Sequence, residues 1–256
     1  MSGHSHFKTI KRVKEAGDKK RGQIFSKLAR MISVAVREGG NDPAINSKLR
    51  LAIEEARFCN LPKENIERAI KRGAGELVEE KLEEIILEAY GPGGIAIIIE
   101  GITDNKNRTL GEIKQILNQN NGKLVSEGAV RWMFKRKGCI TINFQPAPHR
   151  AEGSGAGFPV PNFQTKENLE MAAIEAGAED IYWREELLDV YAKPEELEKV
   201  KKNLEGREIK IESSSLDWVA EKEIELNEKD KKACQKLFEA LDENDAVQNI
   251  YSNLKD

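Results

Sequence analysis

"EEIILEAYGPGGIAIIIEGI", Glu83–Ile102, is where the chain changes character. Two apolar, β-branched runs flank Gly91, Pro92, Gly93 and Gly94, which is the pattern of a β-hairpin closed by a glycine-rich turn. In the second run, Ile95, Ile97, Ile98 and Ile99 are not separated by polar residues. That continuity predicts a strand buried on both faces. Before this stretch the periodicity is helical throughout; after it strands and helices interleave. The hairpin therefore opens an α+β part that follows an all-α part.

Upstream, Ile24, Phe25, Leu28, Met31, Ile32, Ala35 and Val36 form one apolar stripe at helical spacing, predicting a helix over 18–38. Gly39-Gly40 ends it. Asp42-Pro43 reads as the cap and first residue of a second helix, marked by Leu49, Ala52, Ile53 and Ala56. Leu61-Pro62 opens a third, with Ile66, Ala69 and Ile70 facing inward and Gly73 at its end.

Downstream, Thr109 and Glu112 have capping-box spacing ahead of a stripe of Leu110, Ile113 and Leu117. "AVRWMFKRKGCITINF", 129–144, reads as two strands turning at Lys137-Gly138, with Trp132 and Phe134 expected in the core. Gln145–Gln164 holds four prolines and three glycines, which predicts a surface loop. Helices are expected at 166–176 and 194–204, with a strand pair "DIYW…LLDVYA" between them. "REIKIESSSLDW" and "KEIEL" read as further strands. Asn227 caps a helix containing Ala233, Leu237 and Leu241, and "AVQNIY" reads as a last strand.

Charge divides along the same boundary. Residues 1–75 hold 17 Lys and Arg against eight Asp and Glu, although the whole chain has a formal net charge of −3. Such asymmetry points to a polyanionic partner at the basic end. Nine of the cations fall in Gly3–Arg30: Lys8, Lys11, Arg12, Lys14, Lys19, Lys20, Arg21, Lys27 and Arg30. Glu15 and Asp18 cannot balance them, so phosphate contact is preferred over a merely solvated helix face. Arg68, Lys71 and Arg72 are candidates to extend that surface, and helix-dipole capping explains the last two equally well.

Other chemistries find little footing. Cys59, Cys139 and Cys234 are far apart, and His4, His6 and His149 lie in no ligand-spaced pattern, so neither a disulfide framework nor a metal site is expected. "GPGG" lacks the Lys-Ser/Thr of a phosphate loop. No nucleophile–base–orienter set is apparent, and no enzyme activity, cofactor or small-molecule substrate is expected. No apolar run spans a bilayer and no apolar leader begins the chain, so a cytoplasmic protein without a membrane partner is expected.

"GHSHFKTIK", "RGQIFSKLAR", "NLPKENIERAIKRGAGE", "YGPGGIAIIIEGITDNKNRT" and "FKRKG", followed by "AIEAGAED" and "KPEELEKVKKNLE", resemble the YebC/PmpR family over nearly the full length. The resemblance implies a helical domain, an interrupted α+β domain and a ferredoxin-like α+β domain inserted into it. The expected bounds are 1–78; 79–129 with 206–256; and 130–205. It implies a transcriptional regulator that binds DNA. A mitochondrial relative that activates translation, and bacterial members linked to the ribosome, imply ribosomal or transfer RNA as the alternative. Gln145–Gln164 is longer and richer in Pro and Gly than the family pattern.

Overall fold

The structure, a computed structural model, describes residues 18–77, 81–144 and 165–255, with side chains from Lys20 onward. The Pro/Gly-rich stretch at 145–164 lies outside the described residues. By contact density the chain divides into two compact units, one holding the residues up to Lys135 and again from Trp218, the other Arg136–Asp217.

The first unit begins with α1 (Asp18–Gly39), α2 (Ser47–Phe58) and α3 (Lys63–Gly73). Leu28, Ile32, Ala35 and Val36 of α1 pack with Leu49, Ala52, Ile53 and Ala56 of α2 and Ile66 and Ala69 of α3. These are the stripes the periodicity marks. The α1–α3 contact is close: a Cβ on Gly73 would lie 2.7 Å from that of Val36, and the Ser33 hydroxyl donates to the Ala69 carbonyl at 2.9 Å. The start of α2 differs from expectation. Asp42-Pro43 forms a turn, and the cap is Asn46. Its side-chain oxygen accepts from the Leu49 N–H at 3.0 Å, while its amide donates to the carbonyls of Ala35 and Gly40. A cap that also closes the preceding helix outcompetes one four residues earlier.

The rest of this unit is a sheet ordered β3-β1-β2-β8, from β1 (Glu83–Tyr90), β2 (Ala96–Thr103), β3 (Lys123–Val125) and β8 (Val247–Ser252). The hairpin pairs Glu83 with Thr103 through Tyr90 with Ala96. Ile95, Ile97 and Ile99 face a core made with Ile113 and Leu117 of α4 (Lys106–Gln119) and Leu237 and Leu241 of α7 (Glu228–Asp242). Ile98 faces the opposite core, with Val130, Phe134, Trp218 and Tyr251. The strand is thus buried on both sides. The start of α4 is a correction: Asn105 is its cap, and Thr109 lies inside the helix, its hydroxyl 2.8 Å from that of Thr103. "KEIEL" supplies a single bridge, Ile224 to Leu254, rather than a strand.

The second unit has the order β-α-β-β-α-β: β4 (Phe134–Asn143), α5 (Lys166–Ala176), β5 (Asp180–Arg184), β6 (Leu187–Ala192), α6 (Leu197–Glu205) and β7 (Ile211–Ala220). The sheet order β5-β6-β4-β7 is that of a ferredoxin-like domain. Its pairing with β4 makes β7 part of this sheet, so the unit runs to Asp217. "AVRWMFKRKGCITINF" is one strand, not two, preceded by a 3-10 turn at Arg131–Met133. Buried Asp189 accepts from the Thr141 hydroxyl at 2.8 Å and from two Arg184 nitrogens at 2.6 Å each.

The turn before β4 is held by Glu88. This buried carboxylate of β1 accepts main-chain N–H bonds from Gly128 at 2.7 Å, Val130 at 2.7 Å and Arg131 at 2.9 Å. Burial pushes its pKa up, but the three donors and the Arg131 charge outweigh that and hold it below the usual carboxylate value. Glu88 is therefore expected to stabilise the fold above its unfolded pKa of about 4.3, and to lose that contribution as pH falls through the lower folded value. Glu88→Gln should cost about 2–3 kcal/mol in urea unfolding at neutral pH and flatten the acid limb of stability against pH. An unchanged acid limb would mean that the carboxylate carries no net stabilisation.

Candidate nucleic-acid interface

The structure sorts the cations singled out in the sequence into three groups. Lys8, Lys11, Arg12 and Lys14, and the side chain of Lys19, lie outside what is described. Lys20 and Arg21 are exposed at the start of α1, and Arg68 and Lys71 are exposed on α3, with Arg72 half-buried beside them. Lys27 and Arg30 point elsewhere. The Lys27 ammonium donates to the Asp242 carbonyl at 2.7 Å and lies 3.5 Å from the Asp242 carboxylate, its side chain only 12% exposed. Arg30 donates to the Asp245 carbonyl at 2.7 Å.

Asp242 is the last residue of α7, so its carbonyl has no intrahelical partner. A cation there satisfies that oxygen and the negative end of the helix dipole together. Two more cations of the helical region reach the same body. Arg37 donates to the Leu82 carbonyl ahead of β1. Lys48 of α2 lies 2.6 Å from Glu38 and 2.7 Å from Glu84. Burial lowers the Lys48 pKa, but the two carboxylates outweigh it and raise the value above ordinary. Part of the basic excess thus answers acids and carbonyls of the protein itself. Sequence reasoning missed Arg37 and Lys48 because their partners, Leu82 and Glu84, are more than 30 residues away in the chain.

The two exposed groups are separate. Ser33 bonds Ala69, which sets the middle of α3 beside the middle of α1. From Ser33 back to Lys20 is about 20 Å of helix. A bound polyanion touching both groups would have to run along α1. Arg57, in the last turn of α2, is a further exposed cation that the periodicity did not single out.

The remaining chemistry of the described residues is quiet. No group of three or more His, Cys, Asp or Glu is placed to hold a metal ion. Burial pushes the thiol of Cys59 up to about 12 and that of Cys234 up to about 11, and raises Cys139 as well, so the cysteines stay protonated and poorly nucleophilic. A cleft of about 360 Å³ between α1 and the body is lined by Arg30, Asp104, Arg108, Glu112 and Asp245 among others. Its charges face one another: Arg108 pairs with Asp104 and lies 3.8 Å from Glu112. Trp132 overturns its sequence reading. It is 69% exposed rather than in the core, while Phe134 is buried as expected. No described helix is long and apolar enough to cross a membrane.

Family profiles match most of the chain: residues 5–76 fit the "TACO1/YebC protein N-terminal domain" and residues 82–254 the "TACO1/YebC second and third domain". A "Probable transcriptional regulatory protein" of Halothermothrix orenii is 43% identical over 254 residues, covering 99% of this chain and 94% of that protein. One of Caldanaerobacter subterraneus subsp. tengcongensis, named likewise, is 44% identical over 255 residues, covering 100% and 98%. A crystal structure of a conserved hypothetical protein from Aquifex aeolicus superposes with a TM-score of 0.79 at 42% identity, covering 93% of this chain and 91% of that one.

The contact at α7 separates charge from geometry. Lys27→Met should lower stability by about 1–2 kcal/mol, because it removes the ammonium's bond to a helix-terminal carbonyl in a half-buried seam. Asp242→Ala, which keeps that carbonyl, should cost less than about 1 kcal/mol. Urea denaturation of the two variants checks the order; equal or reversed losses would place the interaction in the carboxylate instead.

Proposed function

The chain belongs to the TACO1/YebC family, and from that premise and the placement of its cations we propose a non-enzymatic, cytoplasmic regulator of gene expression that binds nucleic acid through its helical region. Lys8, Lys11, Arg12, Lys14, Lys19, Lys20 and Arg21 contact phosphates, and Arg68, Lys71 and Arg72 extend the surface. Lys27 and Arg30 hold the helical region against the body, and reach phosphate only if that seam opens. The observation that carries this reading is the division within α1. Its first described cations, Lys20 and Arg21, face solvent directly after a leader rich in Lys and Arg, while its later ones turn inward.

Two relatives are named probable transcriptional regulatory proteins, and a role in transcription would make DNA the target, with ribosomal or transfer RNA as the alternative. No described helix presents the row of Asn, Gln and Arg side chains that reads base edges in a major groove, which favours recognition through the backbone and the shape of the nucleic acid. The net negative charge of the residues after 75 disfavours phosphate there, which helps to orient the molecule toward its basic helical region.

About six phosphate contacts would make log K fall against log salt with a slope of about −5 on a DNA duplex. Replacing Lys19, Lys20 and Arg21 by Glu should weaken binding at least about tenfold and reduce that slope by about three. An RNA hairpin run in parallel shows which polymer binds more tightly at equal salt. Binding that ignores salt, or survives the triple substitution unchanged, would remove the helical region from this role.

A further inference from the structure

We propose that Trp132 is a preorganised stacking platform for an unpaired nucleobase, flanked by cations that accept the adjoining phosphates. The inference rests on the nucleic-acid reading above but concerns a surface of the α+β body, not the helical region.

An indole with 69% of its surface in water is unusual on a folded protein, and here its position is fixed from beneath. The Trp132 Nε1–H donates to the Ala129 carbonyl at 3.0 Å, three residues back. The main chain that carries it is fastened by the Met133 N–H to the Val130 carbonyl at 2.9 Å, and by the three N–H bonds that Glu88 accepts from Gly128, Val130 and Arg131. On either side of Trp132, Val130 and Phe134 are anchored in the core between the sheet and Trp218. The turn is therefore held at both ends and from below, so ordering it on binding costs little.

Internal bonding of the N–H leaves the ring with one thing to offer, its apolar π face. Every nucleobase has a matching face, and stacking on an aromatic side chain is a principal way in which single-stranded nucleic acid is held. The local charge selects this occupant over an apolar protein surface. Arg131 and Lys135 bracket Trp132 in the chain, and no acid lies between them. Arg131, with its side chain 44% exposed, lies over the Trp218 ring at 4.9 Å and reaches Glu127 only at 4.0 Å. Lys135, 68% exposed, pairs with Glu221 at the surface. Exposed ion pairs of this kind are weak, so both cations can turn to a phosphate beside a stacked base.

The test compares the full-length wild type, Trp132→Ala and Trp132→Phe on oligouridylate, oligothymidylate and a DNA duplex with no unpaired base. Trp132→Ala should weaken binding to the single strands about tenfold, and Trp132→Phe by less than about threefold, because a smaller ring still stacks. Duplex affinity and salt slope should not change for either variant. A loss on both single strands assigns the base alone as the ligand; a loss on one assigns the platform to RNA or to DNA. If the wild type binds the duplex with its expected salt slope while Trp132→Ala binds single strands as well as the wild type does, the platform is overturned and the helical-region reading stands. Equal losses on single strands and duplex would also overturn it, and a wild type that binds no nucleic acid would overturn both.

Discussion

Four cations of the helical region spend their charge on the α+β body of the same unit. Lys27 and Arg30 donate to carbonyls at and just beyond the end of α7, Arg37 to the carbonyl of Leu82, and Lys48 bridges Glu38 and Glu84. An ammonium or guanidinium bound to one acceptor is largely withdrawn from another, so this seam decides which part of the basic excess is available to a partner. It also fixes where α1 meets the body. The contacts come from Lys27 onward, while Lys20 and Arg21 at its beginning are exposed. A net charge counted over residues 1–75 merges two populations with opposite destinies, and only the contacts separate them.

Much of the architecture is legible because it follows from local periodicity. The α1 stripe, the hairpin at Glu83–Ile102 and the isoleucines buried on both faces of β2 come from spacing alone. The helix at Lys166–Ala176 falls where its Thr165 cap and Gly177 stop place it. The errors have one cause: a nearby pattern lost to a partner remote in sequence or to a side chain with two tasks. Asn46 displaces Asp42 as a cap because its amide also closes α1. Thr109 abandons the capping box because Thr103 offers its hydroxyl a buried partner. Lys27 and Arg30 sit on the polar side of α1 as the stripe demands, but that α7 ends beside them, 215 residues further on, is written in no local pattern. The leader itself, which carries the candidates Lys8, Lys11, Arg12 and Lys14, is outside the described residues.

Trp132 shows the same limit from the other side. An alternating Arg-Trp-Met-Phe-Lys run resembles a strand with its aromatics inward, and the outcome depends on Glu88, more than 40 residues earlier. By taking the N–H groups of Gly128, Val130 and Arg131, that carboxylate draws the chain into a turn before the strand can begin. Phe134 then enters the core as the first residue of β4, and Trp132 is left on the crown of the turn. A single buried anion thus converts what reads as a core aromatic into a surface one. It does so at a cost the fold recovers through three charge-assisted bonds.

The account turns on one division, between lysines the protein uses to hold itself together and lysines it keeps for a phosphate backbone. Acetylation footprinting of the intact protein, free and with a saturating DNA duplex or RNA hairpin, reads that division residue by residue. Lys20 and Lys71 are expected to react readily in the free protein and to be protected by nucleic acid, while Lys27 is protected in both states by its contact with α7. A Lys27 that reacts as fast as Lys20 in the free protein, or a Lys20 and Lys71 whose reactivity nucleic acid leaves unchanged, would contradict it.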